Sequence, residues 1–118
     1  MLNIGVTLAG LSEAIKLLEK GNIDTDRALK AIRSGAAQSW QMDNRALTMD
    51  ENHYEHGFAV NWMRKDLGIC LSTAERLQAT LPLTALVDQF YKDVQAIGGG
   101  RWDTSALLAR IQHLQGEA

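Results

Sequence analysis

The sequence predicts an all-α domain, and three observations carry that reading. Apolar residues recur at the three- and four-residue spacing of a helix from one end of the chain to the other. Glycine, aspartate, threonine and proline interrupt them at the offsets where helices stop and start. No stretch alternates apolar and polar residues as a half-buried strand does. The pattern resolves into six helices in one domain of 118 residues, without internal repeat or low-complexity tract. A chain of this size can bury a core with no disulfide or metal to help it fold.

The first helix has Ile4, Leu8, Leu11, Ile15 and Leu18 on one face and Gly21 as its stop. It has no capping residue ahead of its apolar positions. Either the first turn frays at Met1 or the chain begins inside a longer helix. Asp24 or Thr25 caps the second helix, with Ala28, Leu29 and Ile32 inside and Gly35 at its end. AAQSW leads into a short third helix through Met42, Leu47 and Met49, and DENHYEHG reads as a polar loop. The fourth helix is long, roughly Phe58 to Ala79. Pro82 opens the fifth, where proline is tolerated, with Leu83, Leu86, Val87, Phe90, Tyr91, Val94 and Ile97 inside. The glycines at 98 to 100 break it. Asp103 or Thr104 caps the sixth, through Leu107, Leu108, Ile111 and Leu114.

Composition excludes several functions. At 46% hydrophobic and 22% charged residues the chain is not disordered, and a net charge of −2 gives no basic field to recruit nucleic acid or anionic lipid. No run of about 18 apolar residues offers a membrane span. The N-terminus has no basic lead-in or cleavage site, so it is not read as a leader. Cys70 is the only cysteine, which permits no internal disulfide and fits a reducing cytoplasm.

The fourth helix holds the candidate chemistry. Placed at about 100° per residue, Val60, Met63, Leu67, Cys70, Leu71, Ala74 and Leu77 form a core stripe. Phe58, Trp62 and Ile69 lie nearly opposite, with Lys65 among them and Asp66 at the border of the stripe. A helix apolar on two sides is covered on both. Lys65 therefore lays its stem on Trp62 with the ammonium in water, pairs with an acid, or binds an anionic ligand at a contact surface. Weaker signals are set aside. His53 and His56 have no third metal ligand nearby, and Cys70 reads as a small buried hydrophobe. GGGR at 98–101 follows a helix and lacks a phosphate-loop pattern. Trp40, Trp62 and Trp102 read as packing residues. No complete active site is visible.

SEAIKLLEKGNID, RALKAIRSGAAQSW…NR, HGFAVNWMRKDLGICL, LPLTALVDQFY and GGGRWDTSAL occur in that order. Together they resemble the C-terminal helical domain of the β-hydroxyacid dehydrogenases, the group of 3-hydroxyisobutyrate dehydrogenase and tartronate semialdehyde reductase, related to 6-phosphogluconate dehydrogenase. The resemblance covers essentially the entire chain; GF followed by KDLG, and D-x-SAL, are its most specific pieces.

The resemblance implies an oxidoreductase using NAD or NADP on a small hydroxyacid. It implies that residues 1–118 are the substrate-binding and dimerisation domain of a homodimer, with the Rossmann domain outside this chain. The family's catalytic lysine is expected just upstream of Met1, so no catalytic residue is assigned here, and Lys16 and Lys20 are too far along the first helix to replace it. By position, Lys65 matches a cofactor-binding lysine, and Phe58 and Asp66 match substrate-binding positions. His56 departs from the family, which often has proline there. On this reading the chain alone is inactive and binds NAD(P) weakly or not at all. A free-standing helical self-association module is the alternative.

Overall fold

The computed structural model describes residues 1–117. Six α-helices follow one another: α1 (Leu2–Lys20), α2 (Thr25–Ile32), α3 (Trp40–Asp50), α4 (Val60–Leu77), α5 (Pro82–Ala96) and α6 (Leu107–Leu114), the last entered through a 3₁₀ turn at Thr104–Ala106. No strand occurs among the described residues; Ala59 and Asp103 form a single isolated bridge.

α1 is the axis of the domain and packs against all five other helices. Its expected stripe holds: Leu8, Leu11 and Ile15 are buried, and Ser12 beside them turns its hydroxyl back onto the Leu8 carbonyl at 2.7 Å. The N-terminal turn carries no side-chain cap. α4, α5 and α6 likewise start without a side-chain cap, so the expected cap at Asp103 serves the 3₁₀ turn and not α6 itself, whereas α2, α3 and the 3₁₀ turn are capped. Asp24 accepts from the amides of Asp26 and Arg27, Ser39 from Met42, and Asp103 from Ser105.

Several sequence expectations are corrected. α4 runs from Val60 to Leu77, shorter at both ends than expected. Phe58 and Ala59 precede it because they pair with the 102–104 segment, and Gln78 ends it in the left-handed conformation with φ 58°. On its core stripe Val60, Met63, Leu67 and Ala74 are buried, but Cys70 and Leu71 are half-buried and Leu77, the last residue of the helix, is exposed. Ile32, Leu47, Leu83, Leu86 and Leu114 are exposed as well. Gly35 lies in the turn after α2, which stops at Ile32.

For α5 the reason is chemical. Its buried face includes Thr84 and Asp88 alongside Val87, Tyr91 and Val94. Asp88 receives both Arg64 Nε at 3.0 Å and Nη2 at 3.2 Å, while Arg64 Nη1 reaches Gln95 at 3.0 Å and Gln95 reaches Asn61 at 2.9 Å. The α4–α5 seam is thus partly a planar, bidentate ion pair, which turns Leu83 and Leu86 outward. The Arg64 guanidinium is held even more firmly protonated than usual, chiefly by the Asp88 hydrogen bonds.

The glycine triplet is explained by packing. Gly98 adopts φ +94°, and a Cβ on Gly99 would sit 2.6 Å from Val94 Cγ1 and overlap the Trp102 ring. Gly99→Ala should therefore lower the unfolding free energy by about 1–3 kcal/mol in urea titration. Gly57→Ala, where a Cβ would meet nothing within 4 Å, should change it by less than about 0.5 kcal/mol.

Lys16 is buried with its ammonium 3.0 Å from Glu19 and 2.8 Å from Glu117. Burial alone would depress its pKa, but the two carboxylates outweigh it and hold Lys16 above the ordinary lysine value of 10.5. Glu19 moves up as well: burial and a hydrogen bond with the Asp50 carboxyl outweigh Lys16. The raised Lys16 contributes stability that is complete below pH 10.5 and is lost as pH rises through its folded value. Thermal unfolding should show a steeper fall of the wild-type midpoint above that pH than of a Lys16→Met variant.

Candidate functional site

A cleft of about 300 Å³ opens where the start of α1 meets α3 and the loop before α4. Met1, Ile4 and Leu8 of α1 line one part, and Trp40 and Phe58 supply aromatic surface. Gln41, Arg45 and Thr104 are its polar residues. A larger hollow of about 470 Å³ lies between residues 52–55 and the ends of α5 and α6. It is lined by His53, Tyr54, Trp102 and His113 among others and contains none of Phe58, Lys65 or Asp66. The smaller cleft is the better candidate because its walls are apolar and its few polar groups converge.

The backbone around Phe58 is fixed by a ladder of hydrogen bonds. Asp103 N–H donates to Tyr54 O and Thr104 N–H to Phe58 O, both at 2.8 Å; Val60 N–H donates to Trp102 O at 2.8 Å and Asn61 N–H to Gly100 O at 2.9 Å. The Phe58 side chain, 56% exposed, is thereby presented at the cleft from a rigid base.

Among the described residues, Arg45 is the only charged side chain lining the cleft. Its Nε donates to Asp103 Oδ2 at 3.1 Å, its Nη1 to Asn44 O at 3.1 Å, and its guanidinium lies 5.0 Å from the centre of the Trp40 ring. Asp103 is 1% exposed; Oδ2 also accepts from Ser105 N–H at 3.0 Å and Ser105 Oγ at 2.6 Å, while Oδ1 has no partner among the described residues. His56 is held below the ordinary imidazole value by burial and then by the Arg45 charge. Its Nε2 lies 3.3 Å from Thr48 Oγ1.

The residues singled out in the sequence are thus separated. Phe58 lines the cleft; Lys65 and Asp66 do not. Lys65 is exposed on α4 with its ammonium 5.4 Å from the Trp62 ring centre, about 8 Å of helix rise beyond Val60. Neither Lys65 nor Asp66 makes an ion pair among the described residues, and Asp66 is half-buried. His53 and His56 meet edge to face at 5.1 Å, and the described residues hold no cluster of three metal-ligating side chains. Of the three tryptophans, Trp102 packs as expected, stacked on Tyr54 at 6.2 Å, whereas Trp40 and Trp62 are more than half exposed. Sequence reasoning missed Arg45 and the Trp40 surface. The signal lay in "NR" and in the aspartate cap of "DTS", but nothing in the sequence shows that they touch.

Comparison with known proteins gives this geometry its class. A family model described as the NAD-binding domain of NADP-dependent 3-hydroxyisobutyrate dehydrogenase matches residues 2–111. An uncharacterized oxidoreductase of Shewanella frigidimarina is 50% identical over 109 residues, 92% of this chain and 38% of its own length. "Probable 3-hydroxyisobutyrate dehydrogenase-like 1, mitochondrial" of Arabidopsis thaliana is 36% identical over 113 residues, 96% of this chain and 34% of its own. The crystal structure of 3-hydroxyisobutyrate dehydrogenase from Salmonella typhimurium superposes with a TM-score of 0.83 at 30% identity, covering 92% of this chain and 38% of that one.

These similarities define a helical domain of a dehydrogenase family. More narrowly, the chain belongs to the 3-hydroxyisobutyrate dehydrogenase family. It spans about two fifths or less of the length of these relatives. No helix among the described residues is long and apolar enough to cross a membrane.

Removing the Asp103 carboxylate would leave Arg45 without its buried partner. Asp103→Ala should lower stability by about 3 kcal/mol, read from the urea midpoint, and Asp103→Asn, which keeps an acceptor for Arg45 and Ser105, by distinctly less.

Proposed function

We propose that residues 1–118 form the substrate-binding and dimerisation domain of an NAD(P)-dependent dehydrogenase of small β-hydroxyacids. In this reading the domain works against a separate dinucleotide-binding Rossmann domain and is inactive alone. The observation that carries the proposal is one of coverage: the family model matches nearly the whole chain, yet the chain matches only about two fifths or less of its relatives.

The site's chemistry supports the same reading. Phe58 and Trp40 give the cleft an aromatic wall that excludes water from a reacting carbon. The resemblance puts the family's catalytic lysine just ahead of Met1, and Met1 borders the cleft. When bound, the nicotinamide supplies the hydride acceptor. Lys65 suits the anionic cofactor: its ammonium is exposed, steadied over Trp62, and has no carboxylate partner among the described residues. Asp66 follows it on α4 and is proposed to border the substrate. Exposed Trp62, Ile69, Leu83 and Leu86 on α4 and α5 offer apolar surface for the dimer. The single Cys70 supports a reducing, cytoplasmic setting.

The test joins the chain to the dinucleotide-binding domain of its Shewanella relative and follows NAD(P)H formation from 3-hydroxyisobutyrate. The joined protein should turn over, the 118-residue chain should not, and Lys65→Ala in the joined protein should raise KM for the cofactor about tenfold. A joined, folded protein that binds both domains' ligands yet forms no NAD(P)H from any small β-hydroxyacid would rule the reading out.

A further inference from the structure

We infer that Arg45 is the anion-recognising residue of the cleft, and that it takes the carboxylate of the ligand. The identity of that ligand as a small hydroxyacid rests on the proposed dehydrogenase reading; the site itself does not.

Four observations point to it. Among the described residues, Arg45 carries the only charged side chain lining an otherwise largely apolar cleft, and no carboxylate side chain lines it. Its Nε is occupied by Asp103 and one Nη1 hydrogen by Asn44 O, so Nη2 and the second Nη1 hydrogen have no acceptor among the described residues. A guanidinium bound through Nε still presents its Nη end, which can receive a carboxylate end-on. The Arg45 guanidinium carbon lies 5.0 Å from the Trp40 ring centre and its Nε is held by Asp103 at 3.1 Å, so part of its rotamer freedom is already lost before binding.

Asp103 offsets part of the Arg45 charge, which raises the possibility that the pair is purely structural. The two readings separate at the unused hydrogens. A structural pair needs only Nε, whereas Arg45 also lines a cleft large enough for a small acid. Gln41 and Thr104 lie on the same cleft and provide neutral polar groups for a hydroxyl. Lys65, the cation the sequence emphasises, lines no part of it.

The experiment is an NMR titration of the 118-residue chain with 3-hydroxyisobutyrate and, separately, with its methyl ester, following the Trp40 indole N–H. The acid should shift that signal saturably and bind about tenfold or more tightly than the ester. Arg45→Gln should erase the preference, and Arg45→Lys should restore part of it. Because Arg45→Gln strands a buried carboxylate, the Arg45→Gln, Asp103→Asn pair is titrated too: it keeps the site neutral and should show the same loss. Equal binding of acid and ester by the wild type, undiminished preference in the folded double variant, saturation at Trp62 in place of Trp40, or no saturable shift would each overturn the assignment. If the joined enzyme proves inactive while Trp40 responds as described, the dehydrogenase reading fails and the Arg45 assignment stands.

Discussion

The carboxylate of Asp103 is almost wholly removed from water and is bound by groups from two parts of the chain. Arg45 reaches it from α3, and the amide and hydroxyl of Ser105 reach it from the 3₁₀ turn, while its own amide donates back to Tyr54. A buried carboxylate is tolerable only when such partners replace water. The junction therefore fixes three segments at once: α3, the loop that carries Phe58, and the entry to α6. Tyr91 reinforces it from α5, donating its buried hydroxyl to Thr104 O at 2.8 Å, with burial pushing the phenol well above its ordinary value. The cleft lies on the outer side of this junction, so its shape depends on a polar contact that contributes little apolar burial of its own.

Apolar packing and polar contacts divide the domain between them. α1 supplies the apolar axis and lends its first turns to the cleft. The α4–α5 seam is keyed by Arg64, Asp88, Gln95 and Asn61, whose geometry is directional. A directional seam leaves the outer faces of both helices free of core duties. This is consistent with Trp62, Ile69, Leu83 and Leu86 being exposed.

Much of this was legible in the sequence, for physical reasons that also mark the limit. Helical period located all six helices, and the side-chain oxygens of Asp24 and Asp103 marked two starts, because a cap acts on backbone two or three residues away. A helical wheel assumes that every residue on it is helical. Phe58 was placed on α4 by that assumption, whereas its carbonyl is held by Thr104 and it stands outside the helix. The wheel also equates apolar with inward, which fails at Leu77, the last residue of α4, and at Leu83 and Leu86, where the inward positions of α5 include Thr84 and the Asp88 that pairs with a partly exposed Arg64. Arg45 and Asp103 are 58 residues apart, and each is unremarkable locally. Only the fold brings them together, so the most informative pair behind the cleft is the least readable.

The account turns on Asp103 holding the wall of the cleft in place, and native-state hydrogen exchange reads this directly. The amides of Asp103 and Thr104 donate to Tyr54 and Phe58, so in the wild-type chain they should exchange only through global unfolding, with the slowest amides of α1. In Asp103→Asn, where the charge-assisted bond to Arg45 is weakened, these two amides should open at markedly lower free energy while α1 keeps its protection relative to the global value. Unchanged protection of both amides in Asp103→Asn would contradict the account, because the ladder behind Phe58 would then stand without the carboxylate.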